Sequence, residues 1–441
     1  MKKDYINSLK NKKCLVIGRG KTGISVVKLF NQHSINYRIY DEGMKDHELT
    51  NKALISKKDI ELEIGSFELL VTSPGMQVDA PILQLAMKHQ IPIVTDLDIF
   101  YSIYIGHITS VTGSNGKSTT LKLIQFLDLK KGIKTLLGGN YGIPALELPY
   151  DFSGGAVIEI SSFQAEFLST FNAEISVLLN IYDNHLDRHK TKQEYIDLKR
   201  KIFLRSKRGI YFYDDRTVRD IGSEHPNAVA FSISENIENG YFIKNQNEQI
   251  SIFYNKNLVQ LIDRNSKIKD HDLVNLLAAF IVSHEKNQLL LPKNCLQDWH
   301  PLNYRYQEIF TSSKLTVIND SKSTNLEATI AALNATSGPI VLMIGGKSKG
   351  QDFNSLIPLR EKEIIKIIAF GSTSEEIKQK LGKYFEIHVA NTLNNAVENA
   401  VINLEAHYTI LFSPGCPSQD MFKDFEERGE NFKDLILEKV A

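Results

Sequence analysis

Cysteine is scarce in this chain: three residues in 441, Cys14, Cys295 and Cys416, far apart and with no CxxC pair. That excludes a disulfide framework and a cysteine zinc site. An excess of charge of one sign is missing too. The 52 Lys and Arg are matched by 52 Asp and Glu, for a formal net charge of zero. Without a basic excess the chain lacks the mark of a nucleic-acid coat or a membrane-surface binder, although a local anion site stays open. No apolar run approaches the ~20 residues a bilayer span requires. The polar opening Met1-Lys2-Lys3-Asp4 carries no h-region of a secretory leader. These absences give the expectation of a reducing cytoplasmic compartment, no nucleic-acid partner and no membrane span.

What is present is the mixture of a globular protein, 42% hydrophobic and 24% charged, long enough for roughly three domains of about 150 residues. Short apolar runs alternate with helical patterns, which predicts α/β architecture with mostly parallel sheets. Cys14-Leu15-Val16-Ile17, Tyr37 to Tyr40, Leu69 to Thr72 and Ile91 to Val94 form a first set. His107 to Thr112, Ala156 to Ile160 and Ile175 to Leu179 form a second. From about Gly209 to Leu261 polar residues alternate with Tyr, Phe and Ile between Asn-rich turns, which predicts an antiparallel meander at one edge of the second sheet. Leu315 to Ile318, Ile340 to Ile344, Ile365 to Phe370 and Tyr408 to Phe412 resume the strand–helix rhythm. The expected domains are 1–96, Rossmann-like; 97–299, a P-loop ATPase-like parallel sheet with an antiparallel edge; and 300–441, again Rossmann-like.

Two glycine loops carry the chemistry. Gly18-Arg19-Gly20-Lys21-Thr22-Gly23 fits G-x-G-x-x-G after a strand, and Asp41 ends the next strand, where a ribose-binding acid sits. NAD, another diphosphate resting on backbone N–H groups, and a purely structural turn are all readings of it. The second loop, Gly113-Ser114-Asn115-Gly116-Lys117-Ser118-Thr119, follows a strand and precedes a helix with Leu121, Ile124 and Leu127 on one stripe. Its N–H groups suit phosphate oxygens, Lys117 brings a point charge to the outer phosphates, and the Ser118 hydroxyl suits Mg²⁺. Val111 stands at the first glycine position of G-x-x-x-x-G-K-[ST], so the match is incomplete. A nucleoside triphosphate is the expected ligand. Glu159 ends an apolar strand, and Asp183-Asn184-His185-Leu186-Asp187-Arg188-His189 follows the next strand, which ends near Asn180. Strand carboxyl ends are where ligands gather in open α/β sheets, so both suit a Mg²⁺–phosphate site. Lys199 lies on a lysine-rich helical stretch, 192–205, that reads as a wet face, and spacing does not single it out.

Together, the P-loop, Glu159-Ile160-Ser161-Ser162-Phe163-Gln164 and Asn184-His185-Leu186-Asp187-Arg188 resemble the central domain of the Mur ligases. These are ATP-dependent amide ligases that extend the peptidoglycan stem peptide, and the short P-loop is usual among them. Asn319-Asp320-Ser321-Lys322-Ser323-Thr324-Asn325, Ser413-Pro414-Gly415-Cys416 and Phe422 to Gly429 narrow the likeness to the branch that adds D-glutamate to UDP-N-acetylmuramoyl-L-alanine. The resemblance implies that Gly18, Thr22, Asp41, Gly75 and Asn140 hold the UDP substrate, which turns the first loop from NAD toward a sugar nucleotide. Gly113 to Thr119, Asp272, Asn275, Arg305, Asp320 and Lys322 would hold ATP. Ser118, Glu159, His185 and Lys199 as a CO₂-derived carbamate would ligate Mg²⁺. Thr324, Lys349, Ser418 and Phe425 would receive D-glutamate, and Lys117, Lys199, His185 and Lys322 would carry the chemistry.

The implied reaction makes an acyl phosphate from the alanine carboxylate and the γ-phosphate of ATP, then lets the D-glutamate amine attack it. Two anions meet in the first step, so cation clamping by Lys117, Lys322 and Mg²⁺ is its physical core. Closure of the third domain around ATP is expected, in a monomer. Three positions depart from the family pattern: Asp272 stands where Asn is usual, Gly43 where some relatives have a basic residue, and Gln419 where an apolar one is common. The rival readings are a sister ligase for another amino acid, a folylpolyglutamate synthetase, a nucleotide-sensing scaffold and an NAD oxidoreductase.

Overall fold

A computed structural model describes residues 2–43, 53–182, 188–246, 248–265, 268–401 and 406–440. The chain divides into two compact units, the first made of 1–181, 193–264 and 274–297, the second of 182–192, 265–273 and 298–441.

The first unit contains two sheets. Strands β1 (Lys13–Ile17), β2 (Asn36–Tyr40), β3 (Leu69–Thr72) and β4 (Ile93–Val94) form an all-parallel sheet in the order β2-β1-β3-β4. The larger sheet is built from β5 (His107–Thr112), β6 (Thr135–Gly139), β7 (Gly155–Glu159), β8 (Ala173–Leu178), β9 (Ser206–Phe212), β10 (Ala228–Ser232), β11 (Tyr241–Gln246), β12 (Gln249–Tyr254) and β13 (Asn257–Asp263). Its order is β13-β12-β11-β10-β9-β8-β5-β7-β6. The apolar runs seen in the sequence are buried on both faces, as parallel strands covered by helices must be: Leu15, Ile17, Ala156, Val157 and Ile158 are all fully enclosed.

The expected meander over 209–261 is corrected. Only β11, β12 and β13 run antiparallel, at the sheet edge. Strands β9 and β10 are parallel to each other and to β8, joined by a helix at Arg216–Glu224. Asp215 caps that helix by accepting from the Val218 N–H at 3.1 Å, and Val218 and Ile221 face inward. A nine-residue helix between two Tyr- and Phe-rich strands has too few apolar positions to break the alternation by eye.

The helix Asp96–Ile103, which follows the first sheet, is locked to the second by one carboxylate. Asp98 Oδ2 closes a capping box with Thr95, taking its N–H and hydroxyl, both at 2.9 Å. Its Oδ1 accepts the N–H groups of Ser169, Thr170 and Phe171 at 3.0, 2.7 and 2.8 Å, on the turn that leads into β8. Asp98 is fully buried, so its loss strands several donors. We expect Asp98→Ala to destabilise the chain by about 3 kcal/mol or more, read from the urea unfolding midpoint; a loss below about 1 kcal/mol would show that water replaces the carboxylate.

The second unit holds a six-stranded sheet in the order β14-β15-β19-β16-β17-β18. Its strands are β14 (Gln307–Thr311), β15 (Leu315–Asn319), β16 (Ile340–Gly345), β17 (Ile364–Phe370), β18 (Ile387–Ala390) and β19 (Tyr408–Gly415). All are parallel except the edge strand β14. Among the described residues no helix is long and apolar enough to cross a membrane.

Candidate active site

In the large sheet β5 is flanked by β7 and β8, and the three carboxyl ends supply one cluster. The loop after β5 is the P-loop, and it must turn sharply into the helix Lys117–Lys130. Gly116 makes that turn at φ 84°, and a Cβ there would lie 2.2 Å from Asn275 Oδ1, so glycine is required on both counts. Asn180, just past β8, clamps the loop: its Oδ1 accepts the Asn115 N–H at 2.8 Å and its carbonyl accepts the Ser114 N–H at 2.9 Å. The neighbouring helix Leu273–Asn287 runs along the P-loop helix and is tied to it at two levels. Thr120 Oγ1 donates to Asn275 Oδ1 at 3.2 Å, and Ser283 Oγ donates to the buried Asp128 at 2.7 Å.

Glu159, at the end of β7, is buried and shared. Its Oε2 accepts from Ser118 Oγ and its Oε1 from Asn140 Nδ2, both at 2.7 Å. A carboxylate beside a hydroxyl at the head of the P-loop is an oxygen donor set suited to Mg²⁺, an ion that keeps several waters and shares phosphate oxygens. The residues present therefore fit that ion. Among the described residues there is no cluster of three or more His, Cys, Asp or Glu. His185 lies outside the described residues.

Lys199 overturns its sequence appearance as a wet-face lysine. It is among the largest fully buried side chains, on the inner face of the helix Lys192–Leu204. Its Nζ donates to the Gly113 carbonyl at 2.8 Å, and Lys117 Nζ donates to the same oxygen at 2.8 Å. Burial holds the Lys199 amine well below the ordinary lysine range, and the Lys117 cation pushes the same way, opposed by Glu159. Tyr195 lies beneath it, with the ring centre 4.6 Å from Nζ and the hydroxyl 2.9 Å from Ser114 Oγ. Asn180 and Tyr195 are the site residues that sequence reading missed; the one signal was a polar residue directly after an apolar strand.

At the carboxyl end of the small sheet, Asp41 Oδ2 accepts the Arg19 N–H at 2.8 Å and Oδ1 accepts the Gly43 N–H at 2.9 Å. Ser73 Oγ donates to the Ile17 carbonyl at 2.7 Å, which draws the 73–75 turn against the glycine loop. Gly18, Asp41 and the turn containing Gly75 are thus neighbours.

In the second unit the chain leaves β15 and β16 toward one face, where Leu326, Leu333, Phe353 and Leu356 pack. It leaves β19 toward the other, where Phe432 and Ile436 pack. Since β19 lies between β15 and β16, their carboxyl ends form a topological switch point, the place where open α/β sheets bind ligands. The loops bordering it carry Asp320, Lys322, Thr324, Lys349, Ser418 and Phe425. Asp320 accepts from the hydroxyls of Ser323 and Ser413 at 2.5 and 2.8 Å and from the Tyr306 N–H at 3.0 Å; burial nonetheless pushes its carboxyl up to about 6. The Lys322 ammonium sits 4.0 Å from the centre of the Phe425 ring and the Arg305 guanidinium 5.9 Å from it, close enough for attraction to the ring face. Arg428, fully buried, pins two of the loops by donating to Ser321 O at 2.7 Å and Cys416 O at 2.9 Å. Asp272, also in this unit, has its carboxylate 3.7 Å from His271 Nε2. Gln419 is exposed.

Comparison with known proteins agrees with this geometry. Residues 12–95 match the family described as Mur ligase MurD-like, N-terminal domain; 111–283 match Mur ligase middle domain; and 304–416 match Mur ligase, glutamate ligase domain. Proteins named UDP-N-acetylmuramoylalanine–D-glutamate ligase are similar over almost the whole chain. That of Thermoanaerobacter pseudethanolicus is 32% identical, with 98% of this chain and 99% of that protein covered. That of Bacillus subtilis is 32% identical, with 96% of each covered. Among solved structures, the MurF ligase of Thermotoga maritima in complex with ADP shares the fold at a TM-score of 0.63 and 16% identity, covering 99% of this chain and 97% of that one. A pseudomurein peptide ligase type C from Methanothermus fervidus does so at 0.61 and 16%, covering 98% and 100%.

Proposed function

The chain belongs to the Mur ligase family, and from that footing we propose that it joins D-glutamate to the L-alanine carboxylate of UDP-N-acetylmuramoyl-L-alanine, driven by ATP. The observation that carries the reading is the constellation at the head of β5. A P-loop, its lysine, a hydroxyl-bound buried carboxylate and a second, buried lysine all converge within hydrogen-bond reach of one turn. The family relationship over nearly the full length supplies the substrate class.

The chemistry runs in two stages. An oxygen of the alanine carboxylate forms a bond to the γ-phosphorus while the bond to the β–γ bridging oxygen breaks, giving an acyl phosphate and ADP. The D-glutamate amine then adds to the activated carbonyl, loses a proton, and inorganic phosphate departs with the electron pair of the broken C–O bond. In the first stage the protein must hold two anions together. Lys117 supplies a fixed positive charge, and the N–H groups of the P-loop supply oriented dipoles. Mg²⁺, held by Ser118 and Glu159, would neutralise phosphate charge. Asn140 ties the 139–142 loop to that same carboxylate. Arg305, Asp320 and Lys322, assigned to ATP by the resemblance, and Thr324, Lys349, Ser418 and Phe425, assigned to D-glutamate, complete the set.

Lys199 is proposed to act as its carbamate. The neutral amine adds to CO₂, a C–N bond forms and one proton is released, so a group next to Lys117 turns from a neutral amine into an anion that the Lys117 cation stabilises. The test of the whole reading is amino-acid-dependent formation of product from ATP and the UDP substrate, with D-glutamate, L-glutamate, L-alanine and diaminopimelate offered separately. D-Glutamate must be the preferred acceptor. Phosphate release that ignores the amino acid, with no new amide in the mass spectrum, overturns it.

A further inference from the structure

The pairing of β5 with β8 does not stop where the strands do. The two strands are in register up to Thr112 and Leu178. Beyond them the Leu179 N–H donates to the Thr112 carbonyl at 3.1 Å, and the Ser114 N–H donates to the Asn180 carbonyl at 2.9 Å. The next rung is made by a side chain: Asn180 Oδ1 accepts the Asn115 N–H at 2.8 Å while its Nδ2 donates to the Asn115 carbonyl at 3.2 Å. A carboxamide offers both an acceptor and a donor, and this pairing fixes which end is oxygen. Asn180 is buried. A Cβ at Gly113 would lie 3.0 Å from Leu179 Cβ and 3.3 Å from the Asn180 nitrogen, so the loop is seated directly on that segment. The segment itself is anchored on both sides of Asn180, by the Leu179 N–H and by the Ile181 N–H, which donates to Asp215 Oδ2 at 2.9 Å.

We propose that Asn180 is a positioning residue for the triphosphate: acting through the backbone of Ser114 and Asn115, it holds the P-loop in its phosphate-receiving shape before ATP arrives. This rests on the function proposed above. The Ser114 and Asn115 N–H groups are taken by Asn180, so the phosphate oxygens fall to the start of the helix Lys117–Lys130, where helix ends turn their N–H groups outward. Between the two lies Gly116, at φ 84°. The aim of the helix start, and of the Lys117 side chain on it, therefore depends on where residue 115 is held. Released at Asn115, a turn that contains Gly113 and Gly116 has many shapes open to it, and ATP would have to order it on binding. Tyr195 grips the Ser114 side chain, with its hydroxyl 2.9 Å from Oγ, and leaves the Asn115 backbone to Asn180.

Steady-state ligation by the full chain separates this from a structural role. Asn180→Leu, close in size, removes both side-chain bonds and keeps the backbone carbonyl for Ser114; Asn180→Ala does the same with a smaller side chain. Both variants are expected to raise the KM for ATP about tenfold or more, the usual worth of two neutral hydrogen bonds. Inorganic tripolyphosphate, competing with ATP, reads the phosphate cradle without the adenine, and its inhibition constant should rise by the same factor. The KM values for D-glutamate and for the UDP substrate should stay within about twofold. If wild type ligates D-glutamate but both variants leave the KM for ATP unchanged, or if all three KM values rise together, the assignment to Asn180 fails alone. It fails alone as well if the KM for ATP rises while the tripolyphosphate constant does not, or if tripolyphosphate does not compete with ATP on wild type. A wild type that ligates no D-glutamate overturns the proposed function, and this assignment with it.

Discussion

Replacing Lys117 with methionine is expected to lower the kcat of D-glutamate ligation by roughly 10²–10³-fold, with the folded state intact. The side chain projects from the first turn of the P-loop helix, and its ammonium donates to the carbonyls of Gly113 and Ser114, both at 2.8 Å. On the function proposed above, that is where two like-charged reactants would be pressed together. Methionine is close to it in length and removes the charge along with the ammonium's hydrogen bonds, so the effect reads electrostatics more than shape. Loss of the two local hydrogen bonds at a half-buried position costs about 1 kcal/mol each at most, small beside the change in barrier. Lys117→Arg is the useful control: it keeps the charge but spreads it over a planar fork, and is expected to recover only part of the rate. A Lys117→Met protein ligating within threefold of wild type, a barrier change of less than about 1 kcal/mol, would refute the clamp.

Lys199→Met is expected to abolish ligation and yet make the protein more stable. Among the described residues the buried amine has no carboxylate in hydrogen-bond contact; it donates to the Gly113 oxygen that Lys117 also uses. An apolar side chain of similar length removes that burden, with an expected gain on the order of 1 kcal/mol or more. The pH dependence has a definite sign. Burial lowers the amine's folded-state pKa well below 10.5, so between those two values the unfolded chain binds a proton that the folded chain does not. Stability therefore rises with pH across that window, and the methionine variant lacks this part of the slope. Urea midpoints in CO₂-depleted buffer measure both effects. For activity, CO₂ depletion should lower the wild-type rate and bicarbonate restore it, while Lys199→Met responds to neither. A wild type indifferent to bicarbonate would remove the carbamate, and a methionine variant less stable than wild type would remove the account of a strained amine.

Some of this was open to reading along the chain because it is local. Continuous apolar runs such as Ile340 to Ile344 become strands in parallel sheets whatever surrounds them, since a segment apolar on both faces has nowhere else to go. Gly116-Lys117-Ser118 at a strand–helix junction is similarly local, because the turn and the helix start are made by those residues themselves. The helix at Arg216–Glu224 escaped for the opposite reason: its few inward residues are defined only by the strands it packs on.

What the sequence determined alone was therefore the class of fold, the P-loop and, through resemblance, the family. The tertiary structure alone decided that Lys199 is buried beside Lys117, that Asn180 and Tyr195 brace the P-loop, and that Asp98 couples a helix to a turn some seventy residues on. Each depends on which side of a helix or loop meets a distant neighbour. Burial, and with it the cost of an unpaired charge or donor, is a property of the assembled surroundings and not of the residue.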